Sequence, residues 1–291
     1  MKPKRKSDRS REEKRAARLK PGFVSRLSAS ALSEAEISVA DVRPAVLLNK
    51  DLNLMVSWSA KSACTSIYVW FAHASGFGDE ISELSNWPHD HRKMIYEKSE
   101  LRHSALMQDF SEYVFLKVIR DPFDRAVSMY RHALACGICD PLFDRHQRRP
   151  AVNSLTGYSF LQYLELLESI DLWNVDVHLR PQFHPVERRS VPKFVINLSK
   201  QDLFAELNVF EDRFGLRKTD FTAMEWLHVM EGKRKAAQED QAGGNFEDTP
   251  ITKHDVAAKK FPSYSQLLSP RTRRKIEQIY AIDFVSYRDN L

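Results

Sequence analysis

Lys61 stands in the stretch SWSAKSACTSIYVW, Ser57 to Trp70, between a short apolar run and a segment whose apolar residues recur with helical spacing. Around it lie Ser62, Ala63, Cys64, Thr65 and Ser66, all small or hydroxylated. Main-chain N–H groups at a helix N-terminus attract anions and a lysine adds a full positive charge, so this order of parts suits the holding of a phosphate-like group. The glycines of the nucleotide-triphosphate loop, G-x-x-x-x-G-K-[ST], are missing. A second cation, Arg120, opens the stretch RDPFDRAVS, and Ser128 closes it about two helical turns on. Cys136 and Cys139 form a single C-x-x-C with no second pair or histidine pair at zinc-site spacing. They read as ordinary buried thiols rather than as half a metal site or a redox pair.

The elements that must position these groups are legible as alternating strands and helices. Leu52–Trp58, Tyr113–Ile119 and Lys193–Leu198 are short apolar runs of strand length. A helical stripe of Ile67, Val69, Trp70, Phe71 and Ala74 follows the first. After the second, Asp121 is a good N-cap and Pro122 suits the first helical turn, with Phe123, Ala126, Val127, Tyr130 and Leu134 on one helical face. After the third, Ser199 and Asp202 have capping-box spacing. Repeated strand–helix units predict an α/β fold of three layers, a central parallel sheet flanked by helices. The loops after Trp58 and Ile119 would then leave the carboxyl ends of parallel strands and open onto one crevice, the usual ligand position in such sheets. Two cationic anion sites on one crevice suit a ligand with two separated phosphate-like groups. Further helical patterns occupy 158–170 and 220–232, and a closing helix is expected over 271–287, packed through Ile276, Ile279, Tyr280 and Phe284. The polar stretch 232–250 carries almost no apolar periodicity and reads as a mobile loop that could act as a lid.

The chain of 291 residues, 43% of them hydrophobic, is long enough for one sizeable core. Its net charge of +5 is misleading, because residues 1–20 hold ten Lys/Arg against three Asp/Glu, a net of +7, which leaves −2 for the remaining 271. The body therefore carries no footprint of a nucleic-acid binder. Residues 1–25 are expected to be a solvated, disordered arm able to touch an anionic surface, ahead of a single catalytic domain over 45–291. No run reaches the length of a membrane span and the N-terminus is too charged for a secretory signal, so a cytoplasmic protein is expected, with peripheral membrane contact through the arm as the alternative.

At these residues the chain resembles the sulfotransferases that use 3′-phosphoadenosine 5′-phosphosulfate (PAPS). AKSACTS, Ala60 to Ser66, is similar to the family's 5′-phosphosulfate loop, and RDPFDRAVS, Arg120 to Ser128, to its 3′-phosphate motif. The Ala-Cys-Thr form looks most like the carbohydrate sulfotransferases of the HNK-1 and chondroitin/dermatan type. DVHLRPQ, Asp176 to Gln182, and IYAIDFVSY, Ile279 to Tyr287, are similar to two later elements of that branch. Ala60 replaces a proline and Leu179 a tryptophan of the pattern, and the C-terminal element is less aromatic than usual.

The resemblance implies a P-loop-like sulfotransferase fold and transfer of a sulfuryl group from PAPS to a hydroxyl of a carbohydrate or glycolipid. Sulfuryl transfer, like phosphoryl transfer, passes through a loose in-line transition state, so positioning and charge stabilisation dominate. Lys61 is expected to stabilise the leaving bisphosphate. The N–H groups of Ser62, Ala63, Cys64 and Thr65, with the Thr65 and Ser66 hydroxyls, are expected to cradle the 5′-phosphate, and Arg120 and Ser128 to hold the 3′-phosphate. Asp121 and Arg125 read as scaffold. His178 leads as the general base, ahead of His103 and then His184, and no metal is implied. The alternatives are a P-loop-type kinase or nucleotide hydrolase, and a nucleic-acid-binding protein acting through its basic arm.

Overall fold

The computed structural model describes residues 45–84, 87–106, 109–147, 151–223 and 244–291. The basic arm, the expected helix beyond Ala223 and residues 232–243 of the expected loop lie outside these. Strand β1 (Leu47–Asn49) turns back through Asn53, at φ 46°, into β2 (Leu54–Ser57). β3 (Val114–Ile119) and β4 (Phe194–Asn197) complete a sheet of order β1-β2-β3-β4. The expected parallel pairing holds for β2–β3, with Ser57 opposite Lys117, and for β3–β4, with Ile119 opposite Asn197. β1 makes the sheet mixed, since it pairs antiparallel with β2. A hairpin needs only a tight turn, and its three-residue edge strand was too short to stand out as a periodic run.

Side chains alternate across the sheet, as the pleat requires. Leu54, Val56, Leu116, Val118 and Ile196 form one face and share a core with α1 (Cys64–Ala74). The expected one-sided apolar stripe of α1 is instead burial all round, Thr65 through Ala72, because neighbouring helices cover the side turned away from the sheet. These neighbours include α2 (Gly78–Leu84) and α3 (Pro88–Met94), while α4 (Glu100–Leu106) packs on β1. The opposite face presents Met55, Phe115, Ser57 and Lys117, and it is covered by the 3-10 turn Pro185–Arg188 and by Tyr287.

α5 (Pro122–Cys136) leaves β3 as expected, and Asp121 accepts from the N–H groups of Phe123 and Asp124. Its apolar face, Ala126, Val127, Tyr130 and Leu134, does not lie on the sheet. It builds a second, helical core with α6 (Phe160–Glu168) and the C-terminal helices. α7 (Leu203–Phe214) covers the first face and is capped by Asp202 alone. Ser199 does not form the expected capping box, because its hydroxyl is engaged with Asp124 and with the N–H of Asp121. The expected closing helix is two, α8 (Pro270–Ile279) and α9 (Ala281–Ser286), hinged at the buried Tyr280. Of the expected loop, residues 244–250 are tied down: Phe246 N–H donates to Gln266 O at 2.9 Å and Glu247 O accepts from Leu161 N–H at 2.9 Å.

Candidate active site

The turn after β2 is held in an unusual backbone conformation. Lys61 (φ 68°) and Ala63 (φ 55°) are both left-handed, a state that costs a residue with a Cβ about 1–2 kcal/mol. Hydrogen bonds from the rest of the site offset that cost. Arg125 Nε donates to Ala60 O at 3.0 Å and Arg120 Nη1 reaches Lys61 O at 3.5 Å. The side-chain oxygen of Gln182 accepts from Ser62 Oγ at 3.0 Å. Ser62 N–H is committed to Ser59 O at 3.1 Å. Ser62 is therefore a strut of the loop, and the expectation that its N–H faces a ligand is corrected: both its donors are spent within the protein. α1 then starts at Ala63 with no side-chain cap, and its first main-chain bond runs from Ile67 N–H to Ala63 O. Among the described residues, the N–H groups of Cys64, Thr65 and Ser66 have no main-chain acceptors, and they stand at the positive end of the helix dipole.

Gln182 joins this loop to the second motif. Its Oε1 also accepts from Arg120 N–H at 2.8 Å, and its Nε2 donates to Arg120 O at 2.8 Å. Its own N–H donates to the Asp283 carboxylate, and its carbonyl accepts from Lys117 Nζ at 2.6 Å. The two later sequence elements thus act as scaffold, one through Gln182 and the other through Asp283. Lys117 is fully buried, and Glu187 Oε1 at 2.8 Å and Ser57 Oγ at 3.1 Å complete its coordination. Tyr287 donates to the same Glu187 carboxylate. Arg125 is buried and bonded to Arg180 O at 2.7 Å, which makes it scaffold. Arg120 is half-buried, with Nη2 at 3.3 Å from the Tyr264 hydroxyl and Cζ 5.6 Å from that ring's centroid. Ser128 is half-buried on α5.

Three imidazoles lie near this loop, His132 beside Lys61, His178 against His132 and His89 against Thr65. His178 Nδ1 lies 2.7 Å from Asp176 Oδ1, and its ring centroid is 4.3 Å from that of His132 on α5. Burial first, and then the Lys61 ammonium, lower the His132 pKa to about 4. His89 on α3 places Nε2 at 3.1 Å from Thr65 Oγ1, and burial followed by Arg92 and Lys93 lowers its pKa to about 4 as well. Lys61 itself is held below the usual lysine value, chiefly by burial and then by Arg131 and Arg120, against the opposing pull of the Cys64 and Cys136 thiols. Cys139 is the buried thiol that was expected, its pKa pushed up to about 12 by burial, whereas Cys136 is exposed beside His132.

The other two candidate bases sit elsewhere. His103 is exposed on α4, which packs on the edge strand β1, and His184 is buried as the cap of the Pro185–Arg188 turn. His89, His132 and Arg131 were not singled out by the sequence. His132 and Arg131 follow Ser128 by one helical turn and could have been found by extending that face of α5. His89 comes from an element whose position nothing in the local pattern reveals.

A family model described as the sulfotransferase family matches residues 46–288. The chain belongs to the sulfotransferase family. No curated protein and no solved structure matches it. A sulfotransferase is a transferase of sulfuryl groups, its family generally uses PAPS, and a glycan or similar acceptor goes with it. The kinase and hydrolase alternatives are set aside by that membership, while the basic arm lies outside the matched residues. The expected cytoplasmic location is corrected by the same match, since carbohydrate sulfotransferases of this family are typically lumenal Golgi enzymes. Among the described residues no helix of this sulfotransferase is long and apolar enough to cross a membrane.

Proposed function

We propose that this sulfotransferase moves the sulfuryl group of PAPS to a hydroxyl of a carbohydrate or glycolipid acceptor. The observation that carries the donor assignment is the joining, through Gln182, of the loop before the uncapped α1 N-terminus to the main chain of Arg120. The N–H groups of Ala63, Cys64, Thr65 and Ser66, with the Thr65 and Ser66 hydroxyls, hold the 5′-phosphate. Arg120 and Ser128 hold the 3′-phosphate, Arg120 as a charge-assisted fork. These are donors to anionic oxygens, so the site needs no divalent metal to offset the donor's charge.

Lys61 stabilises the charge that accumulates as the bridging S–O bond breaks and adenosine 3′,5′-bisphosphate departs. The acceptor oxygen forms the new S–O bond, and its proton passes to His178, whose Nδ1 is engaged by Asp176 so that Nε2 is left to accept. His103 is not used in this scheme. The glycan assignment rests on the family resemblance of the AKSACTS and DVHLRPQ elements. Incubation with sulfur-35-labelled PAPS and a panel of saccharides, lipids and small alcohols tests it. Label on saccharide hydroxyls is the expected result, and transfer confined to small alcohols contradicts the acceptor class.

A further inference from the structure

His89 is fixed more firmly than a surface histidine. Its ring stacks on Trp58 at 6.1 Å between centroids and meets the Trp87 ring at 5.3 Å, and Trp58 is only 5% exposed. Its Nε2 faces Thr65 Oγ1 at 3.1 Å, with Cys64 Sγ farther off at 3.6 Å. Its Nδ1 is buried and has no hydrogen-bond partner among the described residues. With a pKa near 4, the ring is neutral at physiological pH and carries one N–H, on one nitrogen or the other.

The two tautomers have different consequences for Thr65. With the proton on Nδ1, a buried N–H is orphaned, which is rarer and costlier than an unused lone pair. Nε2 would then accept, and it would consume the single proton of the Thr65 hydroxyl, which could show an incoming anion only lone pairs. With the proton on Nε2, the buried Nδ1 keeps only a bare lone pair. Thr65 Oγ1 then accepts from His89, and its own O–H is free to donate into the crevice beside the unpaired N–H groups of α1.

We propose that His89 is a positioning residue of the donor site, held as the Nε2–H tautomer so that the Thr65 hydroxyl donates its proton to the anionic group bound at the α1 N-terminus. This rests on the donor reading above. A neutral imidazole suits the role, because it orders the hydroxyl while remaining a fixed donor across the physiological range.

The tautomer is read without any mutation from the long-range proton–nitrogen NMR spectrum of the full chain with nitrogen-15-labelled histidine. His89 is expected to show a protonated Nε2 and an unprotonated Nδ1, before and after addition of adenosine 3′,5′-bisphosphate. In calorimetric titrations, His89→Ala and Thr65→Val should each weaken bisphosphate binding about tenfold, in the range for a hydrogen bond to a charged group. The double variant should be no weaker than Thr65→Val alone, since both changes remove one relay. Neither should alter binding of adenosine 3′-monophosphate, and His89→Gln, which keeps an N–H donor, should recover part of the loss. A protonated Nδ1, or additive losses, would overturn the proposal while the wild type still binds bisphosphate. A wild type that does not bind bisphosphate would overturn the donor reading itself, and the proposal with it.

Discussion

α1 and α5 both begin at the carboxyl end of a parallel strand, yet their N-termini are finished in opposite ways. α5 is closed by its own sequence: Asp121 takes the Phe123 and Asp124 N–H groups and Pro122 has no N–H to offer. α1 is left open, with Ala63 at the cap and a left-handed turn before it. A closed terminus cannot take an anion, so the second motif contributes a side chain, Arg120, while the first contributes main-chain N–H groups and Lys61. The pair shows how one fold unit gives two kinds of anion contact, and why the strained loop is the one that needs Gln182 and two arginines to hold it.

The largest effect expected from this contrast is at Lys61. Lys61→Ala should lower kcat by about 10²–10³, the cost of removing one donor to a developing oxyanion, with a much smaller change in bisphosphate affinity. A variant with normal kcat and a raised KM would reduce the lysine to a binding contact. Arg120→Ala should weaken adenosine 3′,5′-bisphosphate by about 1.5–3 kcal/mol but leave adenosine 5′-phosphosulfate, which has no 3′-phosphate, nearly unaffected. Equal losses for the two ligands would place the arginine elsewhere.

Smaller effects sharpen the same comparison. Asp121→Ala opens the closed terminus and should cost about 1 kcal/mol of stability in denaturant unfolding, leaving bisphosphate affinity unchanged. A loss of affinity instead would mean that the cap of α5 shapes the ligand site directly. The imidazoles add a pH test. Because the folded-state pKa values of His89 and His132 are depressed to about 4, the unfolded chain binds more protons between that value and the ordinary 6.5. Their contribution is fully present above about pH 6.5 and is lost as pH falls through the folded value. Tm should decline across that window, and His132→Gln should make the decline shallower; a slope identical to wild type would contradict the buried neutral ring.

Much of this was written in local pattern. Asp121–Pro122 announced a helix start, the three buried strands were continuous apolar runs, and the lysine and arginine motifs fell at their ends. Ser62 was misread because a hydroxyl beside a lysine looks available until the turn shows both donors spent on Ser59 and Gln182. Gln182 and Asp283 were seen as motif letters, but their work is long-range, across a sequence separation of 101, and no periodicity reports such a bond. His89 reaches Thr65 across 24 residues by way of a separate helix, so only the packing of α3 on α1 reveals it. The breadth of α1's burial was hidden for a related reason, since its second face is covered by elements outside its own strand–helix unit.

On the reading proposed above, the open α1 N-terminus and Arg120 together hold a ligand with two separated phosphates and need no metal to do so. Calorimetric titration of the full chain with adenosine 3′,5′-bisphosphate in the presence of EDTA tests it most directly, with the 3′- and 5′-monophosphates as controls. Binding is expected without divalent cation, at least about tenfold tighter than either monophosphate, since each phosphate brings its own charge-assisted contacts. Binding that appears only on addition of magnesium, or that is no tighter for the bisphosphate than for adenosine 5′-monophosphate, would contradict it.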